Sequence, residues 1–170
     1  IMLGTRGGLC RVDMQEQCYT MVAADMGIIN ALCLVNDTLV IGSRSGLWVY
    51  HNDEHIENIA LEGTVVSREN AINAMVTDGA NGVWICTNQR LMHVTFPERK
   101  IRKYNIAPDL LNGNIRTLCR IGETLYIGPH TGALFSFDST NETFAPCPHF
   151  ALENIVNLST DGTSLYVGTN

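Results

Sequence analysis

Charge is scarce in this chain of 170 residues: Asp, Glu, Lys and Arg make up 16% of it, and the formal net charge is −6. A net-acidic chain offers no basic face, so nothing in it argues for nucleic acid or an anionic membrane surface as a partner. Long apolar runs are absent too, and no stretch approaches the roughly 18–20 residues of a spanning helix. The apolar stretches are about five residues long, and Gly or Asn-Asp pairs break them before a helix could nucleate. No signal peptide is visible. The 6 cysteines (Cys10, Cys18, Cys33, Cys86, Cys119, Cys147) form no C-x-x-C, and Cys147-Pro148-His149 lacks a second ligand pair at metal-site spacing. Most of them sit in apolar strand patterns, which predicts reduced packing residues and no metal. Missing as well are G-x-S-x-G, H-E-x-x-H and the P-loop, so no catalytic constellation and no cofactor are expected. His51 and His55 are assigned to one connecting loop without a third ligand, and His93 to half-buried packing within a strand.

What the sequence does contain is a repeat, anchored on a short strand ending in Gly-Thr. It reads Ile1-Met2-Leu3-Gly4-Thr5, Leu39-Val40-Ile41-Gly42-Ser43, Val83-Trp84-Ile85-Cys86-Thr87, Leu125-Tyr126-Ile127-Gly128-Pro129 and Leu165-Tyr166-Val167-Gly168-Thr169. Positions 4, 42, 86, 128 and 168 stand 38, 44, 42 and 40 residues apart. Ahead of the last four anchors stand Ile29, Ile72, Ile115 and Ile155, each followed three residues later by Leu32, Met75, Leu118 or Leu158. Between these segments lie turns such as Asn36-Asp37 and Asp161-Gly162, residues that tolerate positive φ, so each unit begins with a β-hairpin. A third strand follows (Gly46-Leu47-Trp48-Val49-Tyr50 in one unit) and a weaker fourth.

Four short antiparallel strands in about 41 residues describe one blade of a β-propeller, whose faces are buried by stacking on neighbouring blades. The anchor column Met2, Val40, Trp84, Tyr126 and Tyr166 is large enough to fill the space between diverging blades. The fold expected is all-β, an incomplete arc of roughly four blades from a larger ring of six to eight blades. Residues 1–25 supply strands two to four of one blade, 26–70, 71–112 and 113–152 complete blades, and 153–170 strands one and two of another. The phase of the repeat predicts a piece of a longer protein whose remaining blades are its partners, with open ends prone to association.

The unit resembles the two-component regulator propeller repeat, N-x-I-x-x-L…D-G-x-x-L-W-I-G-T-x-x-G-L. The match rests on Ile72, Met75, Asp78-Gly79 and Val83-Trp84-Ile85-Cys86-Thr87, on Asn154-Ile155, Leu158, Asp161-Gly162 and Leu165 to Thr169, and on the stretches from Leu3 to Leu9 and Ile41 to Leu47. Cys86 and Pro129 depart from its Gly-Thr. That resemblance implies the periplasmic or extracellular sensor of an inner-membrane hybrid histidine kinase. It also implies an oligosaccharide ligand, a homodimeric receptor, carbohydrate-responsive transcription and no catalysis in this segment.

Propellers gather polar residues at the mouth of the central channel, and the loop after each anchor strand gives the column Arg6, Arg44, Asn88 and His130. Such side chains can hydrogen-bond sugar hydroxyls or pair with a uronic-acid carboxylate. The loops leading into each blade add Asp25, Arg68, Glu69, Asn70 and Asn112, while Asp13 and Asp138 are expected to form turns. Two alternatives stand beside sensing. A WD-type interaction scaffold would carry Gly-His and Trp-Asp pairs, which are missing; a propeller lyase or hydrolase would need an acidic partner for His130.

Overall fold

A computed structural model describes residues 1–51, 55–61, 70–88, 90–148 and 154–170, with only the backbone at Asn112. The strands fall into five sheets in chain order, every neighbouring pair antiparallel and consecutive. The first sheet holds β1 (Met2–Thr5), β2 (Gly8–Asp13) and β3 (Cys18–Ala23). The second holds β4 (Ile29–Val35), β5 (Thr38–Ser43), β6 (Gly46–His51) and β7 (His55–Ile59). β8 (Ala74–Thr77), β9 (Gly82–Cys86), β10 (Arg90–Thr95) and β11 (Lys100–Asn105) form the third. β12 (Asn112–Ile121), β13 (Thr124–Thr131), β14 (Phe135–Asp138) and β15 (Thr143–Pro146) form the fourth. β16 (Ile155–Thr160) and β17 (Leu165–Thr169) make the last. No helix among the described residues is long and apolar enough to cross a membrane. The all-β propeller-type fold expected from the repeat is the fold observed.

Each sheet is a meander whose turns are set by local chemistry. Val35 pairs with Thr38 around a two-residue turn in which Asn36 adopts φ 51°, the left-handed backbone such hairpins need. His51 and His55 are corrected from loop to strand: they close β6 and open β7 and face each other across the ladder. Asp13 and Asp138 form turns as expected, Asp13 accepting the N–H groups of Gln15 and Glu16 and Asp138 those of Thr140 and Asn141.

The sheets stack through their first strands, β4 against β8, β8 against β12 and β12 against β16. The bonds that join them span one repeat: Arg11 donates to Tyr50 Oη, Asn30 to the Ile72 carbonyl and Arg99 to Glu57, 39 to 42 residues apart. Between sheets lie separate apolar layers rather than one core. Val40, Val49 and Ile72 belong to the layer between the second and third sheets. Trp84 meets Phe137 edge-on at 5.5 Å in the layer between the third and fourth. The anchor strands β5 and β9 are largely buried, β9 at every position.

The glycine of the anchor strand makes this stacking possible. A Cβ on Gly42 would lie 2.6 Å from Ile72 Cγ2, and one on Gly128 would lie 2.8 Å from Ile155 Cγ2. Ile29, Ile72 and Ile155 therefore seat on the bare backbone of the preceding anchor strand. Ile72, Ile115 and Ile155 are all fully buried, and burial of such a side chain is worth about 1.5–3 kcal/mol.

Candidate functional site

Immediately after that isoleucine the ladder slips. In β4 Ile29 pairs with Ser43 and Ala31 with Gly42, so Asn30 is an extra residue. The same slip falls at Arg116 between Ile115 and Thr117, and at Val156 between Ile155 and Asn157. A bulge of this kind turns a side chain out of the ladder and is common at sheet rims and binding sites. Asn73 occupies the corresponding place just ahead of β8. The column after the isoleucine is thus Asn30, Asn73, Arg116 and Val156, of which Asn30, Arg116 and Val156 are bulged.

Two of these side chains latch the sheets together. Asn30 Nδ2 donates to the Ile72 carbonyl at 2.8 Å, and Asn73 Nδ2 donates to the Ile115 carbonyl at 2.6 Å. Asn73 also donates to Asn88 Oδ1 at 3.0 Å. Backbone bonds add to this: the Ile72 N–H donates to the Ser43 carbonyl and the Ile115 N–H to the Asn88 carbonyl, both at 2.9 Å. The loops that follow β5 and β9 are therefore pinned to the next sheet, which gives their polar side chains a fixed frame.

Above these latches opens a cleft of about 740 Å³, lined by Asn30, Arg44, Ala71, Asn73, Asn88, Asn114, Ile115, Arg116 and His130. Its volume falls in the range of small-ligand pockets, about 300–1,000 Å³. Three of the four residues read from the repeat column, Arg44, Asn88 and His130, meet here, whereas Arg6 does not line it. Asp25 is also outside the lining, Asn70 is buried, and Arg68 and Glu69 lie outside the described residues. The column residues Asn30, Asn73 and Arg116 were missed by the sequence reading. Their signal was available, since each directly follows the isoleucine column.

The electrostatics of the cleft run against those of the chain. Arg44, Arg116 and His130 are exposed, and no acidic side chain is among the described lining residues. The wall carries two guanidinium groups, one imidazole and four carboxamides, of which the Asn30 and Asn73 amides already donate to the latches.

Two other hollows differ in kind. An apolar groove of about 590 Å³ lies on the first sheet, lined by Leu3, Cys10, Val12, Tyr19 and Met21 among others. Its counterparts one repeat later, Ile41, Trp48 and Tyr50, are packed against Leu9 and Met2 of the first sheet. The groove is thus an uncovered stacking face. At the opposite end of the strands, His93 is more than a packing residue: its Nε2 lies 2.9 Å from Asp78 Oδ2 and its ring stacks on Trp84 at 4.3 Å. Burial works against ionised Asp78, but the N–H groups of Ala80 and Gly82 and the imidazole of His93 outweigh it and hold the carboxyl below its ordinary value. This pair ties the β8–β9 turn to β10. Among the described residues no group of three or more His, Cys, Asp or Glu side chains could hold a metal ion.

No family model and no curated protein matches the chain. Solved structures do. The extracellular domain of the hybrid two-component system BT3049 from B. thetaiotaomicron aligns over 99% of this chain and 26% of its own, with 17% identity and a TM-score of 0.77. The extracellular domain of the hybrid two-component system BT4673 from the same organism aligns over 86% of this chain and 20% of its own, with 18% identity and a TM-score of 0.66. The WD40 β-propeller domain of Doa1 aligns over 89% of this chain and 50% of its own, with 10% identity and a TM-score of 0.66. The chain spans about a fifth to a quarter of the two bacterial domains it matches. At these identities the likeness establishes the fold, a β-propeller arc of the kind found in the extracellular domains of hybrid two-component systems.

Proposed function

We propose that this chain is a ligand-sensing part of an extracellular propeller in a two-component sensor, and that its ligand is an oligosaccharide. The observation that carries the reading is the coincidence of two features. The chain aligns along almost its whole length with the BT3049 extracellular domain. Its polar cleft lies where the inner strands of successive sheets are latched together. A wall of carboxamide and guanidinium donors suits a polyhydroxylated ligand, because hydroxyl and ring oxygens accept such bonds in fixed directions.

In this reading the segment sits outside the inner membrane, on the periplasmic or extracellular side, and performs no catalysis itself. Ligand binding biases the arrangement of a receptor dimer, and that bias is the signal; it requires different affinities for the two arrangements. The control of genes for carbohydrate use belongs to the same proposal.

Thermal unfolding of the protein against a panel of oligosaccharides tests it. A specific ligand raises the midpoint in a concentration-dependent way, by linkage to the folded state. Asn88→Ala, which removes a wall donor, is expected to abolish that shift. A panel without any shift, or a shift unchanged by Asn88→Ala, overturns the placement of the ligand in this cleft.

A further inference from the structure

The cleft also specifies something about the ligand that its fold does not. We infer that the ligand carries an oxyanion, a carboxylate or a sulfate ester, which is received between Arg44, Arg116 and His130. The inference rests on the proposal that this cleft binds a glycan, and it narrows that proposal to acidic glycans.

The first ground is the charge balance. The chain has 17 acidic residues against 11 basic ones, yet the described lining of the cleft contains two arginines, a histidine and no acid. Three arginines elsewhere in the chain are paired with carboxylates at close range: Arg99 with Glu57 at 2.6 Å, Arg102 with Glu142 at 3.0 Å and Arg120 with Glu123 at 3.2 Å. Arg44 and Arg116 have no such carboxylate among the described residues. A guanidinium held in a cleft without a counter-charge is a fork of donors that matches a carboxylate or sulfate.

The second ground is how these cations are placed. Arg116 is the extra residue of the bulge in β12, so the ladder itself turns it away from the sheet. Asn30 and Asn73, its counterparts, spend their amides on latching the next sheet. Arg116 makes no such latch, although the fold supplies the same geometry. Arg44 is fixed through its backbone, its N–H donating to the Ile28 carbonyl at 2.9 Å. The turn after β5 in the second sheet, the β12 bulge and His130 within β13, both in the fourth sheet, thus face one space, with the Asn88 and Asn114 carboxamides also lining it.

Calorimetric titration with three probes tests the inference: a galacturonic acid tetrasaccharide, the galactose tetrasaccharide of the same linkage, and a sulfated uronic acid disaccharide. At least one acidic probe is expected to bind at least tenfold more tightly than the neutral one. Which acidic probe is preferred tells carboxylate from sulfate. The Arg44→Gln and Arg116→Gln variants should each weaken the acidic probe at least tenfold, and by more than they weaken the neutral probe. Arg6→Gln, in the same loop column but outside the cleft, should leave all affinities unchanged. Equal binding of neutral and acidic probes overturns the oxyanion and leaves the glycan reading standing. Binding of none of the three overturns both. Equal weakening by Arg6→Gln overturns the site in favour of a general charge effect.

Discussion

The glycine at the end of each anchor strand is there for space. Gly42 has no unusual backbone angle, but a Cβ there would meet Ile72 Cγ2 at 2.6 Å and Met75 Sδ at 3.0 Å. Gly168 holds the same place in the repeat, and a Cβ there would meet nothing closer than 3.7 Å. Gly42→Ala is therefore expected to destabilise the protein by about 1–3 kcal/mol, the usual cost of overpacking. Gly168→Ala should stay within about 0.5 kcal/mol of the parent. Urea unfolding checks the contrast, and equal effects would show that the glycines serve the strand backbone instead. At position 86 the sequence has Cys in place of this Gly, and a degenerate repeat was all that could be read from it. In the structure Cys86 is fully buried against Ile115, and burial pushes its thiol well above the ordinary range. Here the Ile115 N–H bonds to the carbonyl of Asn88, two residues beyond Cys86, whereas Ile72 bonds to Ser43, directly beyond Gly42. An occupied slot goes with docking one residue further along, a shift that only coordinates reveal.

At the scale of strands and turns, the hairpins depend on aspartates that hold backbone N–H groups. Asp161 accepts from Ser164 and Thr163 and from the Tyr166 hydroxyl, and these bonds pull its carboxyl far below the ordinary carboxylate range. Asp13 is lowered by Glu16 and then Gln15, and Asp138 by the side chain and backbone of Asn141 and then by Thr140. In the unfolded chain these groups return to about 3.9. The unfolded chain consequently takes up protons first as pH falls. The stability these groups contribute is present above about pH 4 and is lost as pH drops toward their folded values. The urea midpoint should thus be nearly flat from pH 7 to 5 and fall below pH 4. Asp161→Asn, which keeps an acceptor but cannot titrate, should show a smaller acid loss; an identical acid profile would place the effect elsewhere. The turn aspartates were legible in the sequence because Asp-Gly and Asp-x-x-Asn patterns carry their own local chemistry. The bulges were not. A period-two pattern marks which face a residue takes, and an extra residue that interrupts it looks like one more polar position. Arg44, Asn88 and His130 were thus read from the repeat column, whereas Asn30, Asn73 and Arg116 show in the sequence only as the position after the isoleucine, with nothing to mark their place in the cleft.

Over the whole molecule the sheets form a row in which each touches only its neighbours, and the apolar layers between them are separate. The forty-residue period reports this directly, because side-chain bonds between sheets join positions about one repeat apart, and so the propeller was the most legible feature of the chain. Stability in such a row is a sum of sheet and interface contributions rather than one cooperative total. The inner three sheets have a neighbour on both sides. The first does not, and it leaves Leu3, Tyr19 and Met21 at 48%, 73% and 46% exposure, while Tyr166 of the last is 54% exposed. Local opening follows buried apolar contact, so hydrogen exchange should be graded along the chain. Amides of β5, β9 and β13 should be the slowest, and those of β1, β3 and β17 should exchange first. Mass-spectrometric exchange in native buffer reads this gradient peptide by peptide. Uniform protection from β1 to β17 would mean that the row opens as a single unit, and the interfaces at its two ends would then have to be as strong as those at its centre.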